Sequence, residues 1–196
     1  MSVYGVGTAG CPMAGYYGIK KAGKQSDNTG NTGQALETVQ RSEMSGGAFE
    51  LHISNEQDGE AISAACGRDY SVTVYKPKDF DPANPVYKAK IWDKDGNVTE
   101  RMVDVSKVDP QNSDYIDMFA YSSHLSASGE CPSAQSSFMS SATNQHGPDE
   151  RNFKDLFQKN DWVSALADAM QTQYQAGNIE GYLDYKPFWD FLKEYK

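Results

Sequence analysis

Long apolar runs are missing from this 196-residue chain: no window approaches the roughly 20 apolar residues that a membrane-spanning helix requires. The N-terminal stretch also has neither the basic start nor the apolar core of a secretory signal peptide. Membrane insertion is therefore not expected. The default compartment is cytoplasmic, with export on a non-cleaved N-terminal signal as the alternative. Positive charge is scarce as well. Eighteen Lys and Arg stand against 27 Asp and Glu, giving a formal net charge of -9 and a pI near 4.8. A surface of that average sign repels nucleic acid and anionic lipid, so neither is an expected partner. The densest basic group, Lys20, Lys21 and Lys24, lies beside glycines rather than on an amphipathic helix.

Cysteine and histidine are few. Cys11, Cys66 and Cys131 are odd in number and far apart, which offers neither a disulfide framework nor a CxxC knuckle, and reduced thiols are expected. His52 sits in an alternating segment and His146 precedes Gly147-Pro148, with no second ligand at useful spacing. No metal and no cofactor are expected.

What is present changes character near residue 47. Residues 1–47 hold most of the glycines together with Ser, Thr, Asn and Gln, and have too little apolar area to offset chain entropy. They read as a flexible leader with one short helix over Gln34–Met44. The rest, 48–196, reads as a single α+β domain. Phe49–Ile53 and Tyr70–Tyr75 alternate as half-buried strands do. Pro82 and Pro85 mark a turn-rich bridge before a central hairpin from Val86 to Val105. A two-residue turn at Asp95-Gly96 would set Ile91 against Glu100 and mix the faces. A type I turn on Asp93–Gly96 with a left-handed Gly96 pairs Tyr87 with Val103, Lys90 with Glu100, Ile91 with Thr99 and Trp92 with Val98, which segregates them. That register is the expected one.

Beyond Asp109-Pro110 the period lengthens to that of a helix. Ser113 reads as the cap of a first helix with Tyr115, Met118, Phe119, Ser122 and Leu125 on one face, and Gly129 stops it. Pro132 opens a second over Ala134, Phe138, Met139 and Ala142. Asn144–Asp149 reads as a loop, and Phe153, Leu156 and Phe157 as a short helical turn. Asp161 caps the strongest helix, with Trp162, Val163, Leu166, Met170 and Tyr174, and Gly177-Asn178 ends it. Pro187 is expected to open a last helix carrying Phe188, Phe191, Leu192 and Tyr195. Strands precede helices without alternation, so the fold is a small, mainly antiparallel sheet followed by four or five packed helices.

Candidate chemistry is thin. Asp93–Asn97 has the oxygen ligands and glycine of a calcium loop at the wrong spacing, and reads as a hairpin turn. Cys131 precedes Pro132 at a helix start, and His124 shares a helical face with Asp117. Those three define a conceivable thiolate, base and orienter. Trp189, with Tyr182 and Tyr185, is the candidate for an exposed aromatic binding surface.

Tyr75–Tyr87 (YKPKDFDPANPVY), followed by Trp92-Asp93 and Asp95–Glu100, resembles an uncharacterised family of small acidic proteins from anaerobic gut bacteria. The similarity continues through Met118–Ser122, Asp161–Val163 and Ala176–Asn178, and so covers most of residues 70 to 192. The resemblance implies a dedicated bacterial role and carries no activity, cofactor or catalytic residue. The expectation is a non-enzymatic module that binds another protein. The alternatives are a small thiol-dependent hydrolase or transferase using Cys131 and His124, and an exported protein addressed by its leader.

Overall fold

The computed structural model of the chain describes residues 38–44, 47–54, 58–146 and 151–194, with side chains over 58–143 and 151–194. Most of the expected leader, residues 1–37, lies outside the described residues. Its C-terminal end does not. Where a short helix was expected over Gln34–Met44, Thr38–Met44 is a strand, β1, antiparallel to β2 (Gly47–Ser54). Leu36 and Val39 suit a helical stripe, but pairing with the alternating strand Phe49–Ile53 overrides that local spacing.

Four further strands form an antiparallel sheet in chain order: β3 (Glu60–Cys66), β4 (Tyr70–Lys76), β5 (Val86–Asp93) and β6 (Val98–Asp104). The β5–β6 hairpin has the expected register, with Tyr87 opposite Val103, Lys90 opposite Glu100, Ile91 opposite Thr99 and Trp92 opposite Val98. Gly96 takes φ +80° and its N–H bonds to the Asp93 carbonyl. The Asp93 carboxylate is occupied by the turn itself, accepting from the backbone N–H of Asp95 and Asn97 and from the Asn97 amide. β3 had no strand signal of its own: its sequence EAISAAC is rich in alanine, which is depleted in strands.

Alternate residues of the sheet, Ala65, Val72, Val74, Ala89, Ile91 and Val103 among them, join one core with the helices. The first helix, α1 (Tyr115–Ser128), is capped by Asp114, whose carboxylate accepts from the Asp117 N–H, and it ends at left-handed Gly129. Asp114 thus replaces the expected Ser113. The Ser113 carbonyl instead accepts from the Asn160 N–H and the Trp162 indole. α2 (Ala134–His146) presents Ala134, Phe138, Met139 and Ala142 to the core and runs through Asn144–His146, where a loop was expected. Phe153–Phe157 forms a short 3₁₀ helix. α3 (Trp162–Gln175) is capped by Asp161 as expected.

The centre of the helical layer is aromatic. Phe138 meets Trp162 edge-on at 4.9 Å between ring centres, and Tyr115 stacks on Phe119 at 5.8 Å. Arg151 is buried there. Its guanidinium lies over the Tyr115 ring at 4.5 Å and donates to the Ala142 carbonyl, which helps to hold the buried cation.

The last helix corrects the expectation at Pro187. α4 spans Ile179–Glu194 with Pro187 inside it, because Asn178 caps it: the Asn178 side-chain oxygen accepts from the Gly181 N–H. Gly177-Asn178 therefore ends α3 and starts α4 at once. Among the described residues no helix is long and apolar enough to cross a membrane. Cys131 is a free thiol, whereas Cys66 is disulfide-bonded, which corrects the expectation of reduced thiols throughout.

Candidate functional site

Ser136, Ser137 and Ser140 share one side of α2, and Ser133 just before the helix continues that side. Serine side chains are too short to fill the space to α4, and a cleft of about 570 Å³ remains between the helices. Gly181, Leu183, Asp184, Tyr185 and Pro187 line it from α4, with Gln173 of α3 and Asn178 of the turn between them. A hydrogen bond spans it: the Ser137 hydroxyl donates to the Asp184 carbonyl at 2.8 Å. Asn178 also donates to Gln173 Oε1 at 2.7 Å, which fixes the α3–α4 turn at the mouth.

Beside this cleft lies the most exposed apolar surface of the helical layer. Tyr174, Ile179 and Leu183 are 59%, 51% and 54% exposed. Tyr182 is half-buried and holds its ring 6.0 Å from that of Tyr174. The arrangement follows from helix geometry once α4 begins at Ile179. Tyr185, Phe188 and Leu192 form the buried stripe, and at about 100° per residue Ile179 and Leu183 fall on the opposite side. Glu180 and Asp184 lie together on the Leu183 side of the patch and add negative charge. The lining supplies hydroxyls, amides and one carboxylate, groups that hold a ligand or a polypeptide. No histidine, cysteine or lysine is among the described residues lining it.

The aromatic trio expected as a contact surface is divided. Tyr185 is buried and forms a wall of the cleft. Trp189 is half-buried, with Lys193 Nζ 4.3 Å from its ring centre, and Tyr182 alone belongs to the exposed patch. Starting the helix at Pro187 concealed Ile179 and Leu183. A start at Asn178 was the signal that would have found them.

Cys131, His124 and Asp117 have separate partners. Cys131 is buried, its N–H closing α1 on the Leu125 carbonyl and its Sγ 3.9 Å from Ser133 Oγ. His124 Nδ1 lies 2.9 Å from the Tyr87 hydroxyl, and its Nε2 is 3.8 Å from Glu130 Oε1. Burial lowers the His124 pKa against the opposing pull of Glu130. Burial also pushes the Tyr87 hydroxyl up to about 12, with Glu130 adding to the effect. Asp117 accepts from Arg101 Nη2 at 2.8 Å, and burial raises its pKa although Arg101 opposes the shift. The hydrogen bonds that a thiolate relay needs are not made among these three.

Other charged groups are spent on structure. Arg101 bridges Asp114 and Asp117 between β6 and α1. Asp58 accepts from Lys88 at 2.8 Å and Lys90 at 2.5 Å, and both lysines also reach Glu100. Burial disfavours the Asp58 carboxylate, yet the two lysine hydrogen bonds hold its pKa below the ordinary value. Among the described residues no three His, Cys, Asp or Glu side chains gather as a metal site. No family model, no curated protein and no solved structure matches this chain.

Proposed function

We propose that this chain is a non-enzymatic interaction module that binds another protein through the α3–α4 end of its helical layer. The observation that carries the reading is the pair of largely exposed apolar side chains Ile179 and Leu183, one helical turn apart on α4, with Leu183 itself lining a formed cleft. Apolar area left in water is a cost that a contact surface recovers on binding. A partner helix or loop would seat apolar groups on Ile179 and Leu183, and its polar groups would meet the serine and amide lining.

The site favours binding over chemistry. No histidine, cysteine or lysine is among the described residues lining it, and the imidazole of His124 is engaged with Tyr87 and Glu130 elsewhere in the fold. The resemblance to small acidic gut-bacterial proteins supports a dedicated bacterial role. The test uses the full chain with Leu183→Glu and Ile179→Glu as separate variants. Both should remain folded and lose the partner captured stoichiometrically by the parent chain. Equal capture by parent and variants overturns the assignment of this surface.

A further inference from the structure

The α3–α4 end of the helical layer carries charge of one sign. Residues 160–185, which run through α3 and the first half of α4, include four acidic residues, Asp161, Asp168, Glu180 and Asp184, and neither a lysine nor an arginine. Lys186, the next cation along α4, is paired with Asp190. Glu180 and Asp184 are exposed and take part in no ion pair among the described residues. The first half of α4 therefore bears two rows side by side, apolar Ile179 with Leu183 and acidic Glu180 with Asp184, each stepping by one helical turn. The adjoining cleft has the same bias. Two of its serines have spent their protons inside the protein: the Ser136 hydroxyl donates to the Ser133 carbonyl at 3.0 Å, and the Ser137 hydroxyl to the Asp184 carbonyl. Each can then only accept, and the Asp184 carboxylate, which also lines the cleft, is an acceptor throughout.

A lysine ammonium or an arginine guanidinium has donors and no acceptor, and so complements such a wall, whereas an anion would meet like charge at Asp184. Resting on the reading of this surface as a protein contact, we propose that its occupant is a basic amphipathic segment of another protein. Apolar side chains of that segment seat on Ile179 and Leu183. A lysine or arginine beside them enters the α2–α4 cleft and pairs with Asp184, and a second cation faces Glu180. A second copy of this chain is a poor occupant, because the surface paired with itself would set carboxylates against carboxylates.

Fluorescence anisotropy with the full chain and labelled peptides tests the chemistry, using an amphipathic peptide of leucine and lysine, the same peptide with glutamate for lysine, and the same peptide with serine for leucine. The leucine–lysine peptide should bind about tenfold more tightly than either control, and more weakly as salt is raised. Glu180→Gln combined with Asp184→Asn should weaken it by about tenfold. Both side chains are exposed, and Ser137 bonds to the backbone carbonyl of Asp184 rather than to its carboxylate, so the double variant keeps its fold. Failure of the leucine–lysine peptide to bind, equal binding of the glutamate peptide, or binding that ignores the double substitution would each overturn the basic occupant. The capture assay separates this proposal from the reading beneath it. Capture lost with Leu183→Glu and kept by the double variant leaves the contact surface standing and overturns the basic occupant. Capture unaffected by either overturns both.

Discussion

The Tyr87 hydroxyl lies 2.9 Å from His124 Nδ1, and the two rings are tilted by 57° at 5.6 Å between centres. The bond links β5 of the sheet to α1. It is strongest with a neutral imidazole, whose Nδ1 accepts a hydrogen bond from the Tyr87 hydroxyl and whose Nε2–H then turns toward Glu130.

A pH dependence of stability follows. Burial depresses the folded His124 pKa below its ordinary value of 6.5, so the unfolded chain takes up this proton more readily. The stabilising contribution is full above about pH 6.5 and is lost as pH falls from there through the lower folded value. Urea midpoints measured between pH 7.5 and 5 should decline, and His124→Phe should flatten that part of the curve. An unchanged slope in the variant would assign the decline to other groups.

The Arg101 bridge should be asymmetric. Asp114 caps α1 and makes two bonds to Arg101, so Arg101→Met leaves a buried carboxylate unpaired and should cost about 2–4 kcal/mol. Asp117 is the more exposed partner, and burial already raises its pKa. Its contribution to stability falls as pH rises from the unfolded value near 3.8 through the higher folded value. Asp117→Asn should therefore change stability by less than about 1 kcal/mol at pH 7. Chemical denaturation of both variants checks the order.

Two glycines with positive φ should respond differently to alanine. Gly96 faces open space, so Gly96→Ala bears only the left-handed backbone cost of about 1 kcal/mol. At Gly59 a Cβ would stand 2.1 Å from the Lys76 carbonyl oxygen, against backbone that cannot yield cheaply. Gly59→Ala should cost about 3 kcal/mol. Similar melting temperatures for the two variants would contradict this contrast.

Surface variants of α4 should separate folding from binding. Ile179 and Leu183 are each more than half exposed. Ile179→Glu and Leu183→Glu should shift stability by less than about 0.5 kcal/mol while abolishing capture of the partner. Thermal melts run beside the capture assay show whether both hold.

The hairpin was legible because a wrong register would have put Ile91 against Glu100 and Tyr87 against Asp104, and only one turn segregated the faces. The stripes of α1, α2 and α3 were legible for the same reason, large apolar residues recurring at helical spacing. β3 was hidden because alanine declares neither a face nor a strand. β1 was read as helix because its partner strand decides its state. The candidate surface depended on a single boundary. Pro187 fits the first turn of a helix so well that the capping oxygen of Asn178 went unread, and Ile179 and Leu183 were left without a face. That Cys66 is bonded was not legible, since cysteine spacing alone does not reveal a disulfide.

The most direct test of the binding surface is site-specific photocrosslinking in cells, with a benzophenone side chain at Leu183 in the full chain and, as the control, at exposed Val98 on the sheet edge. The account predicts one dominant crosslinked protein from position 183 and not from position 98, lost when Ile179→Glu is added. No crosslink from position 183, or the same pattern from both positions, would contradict it.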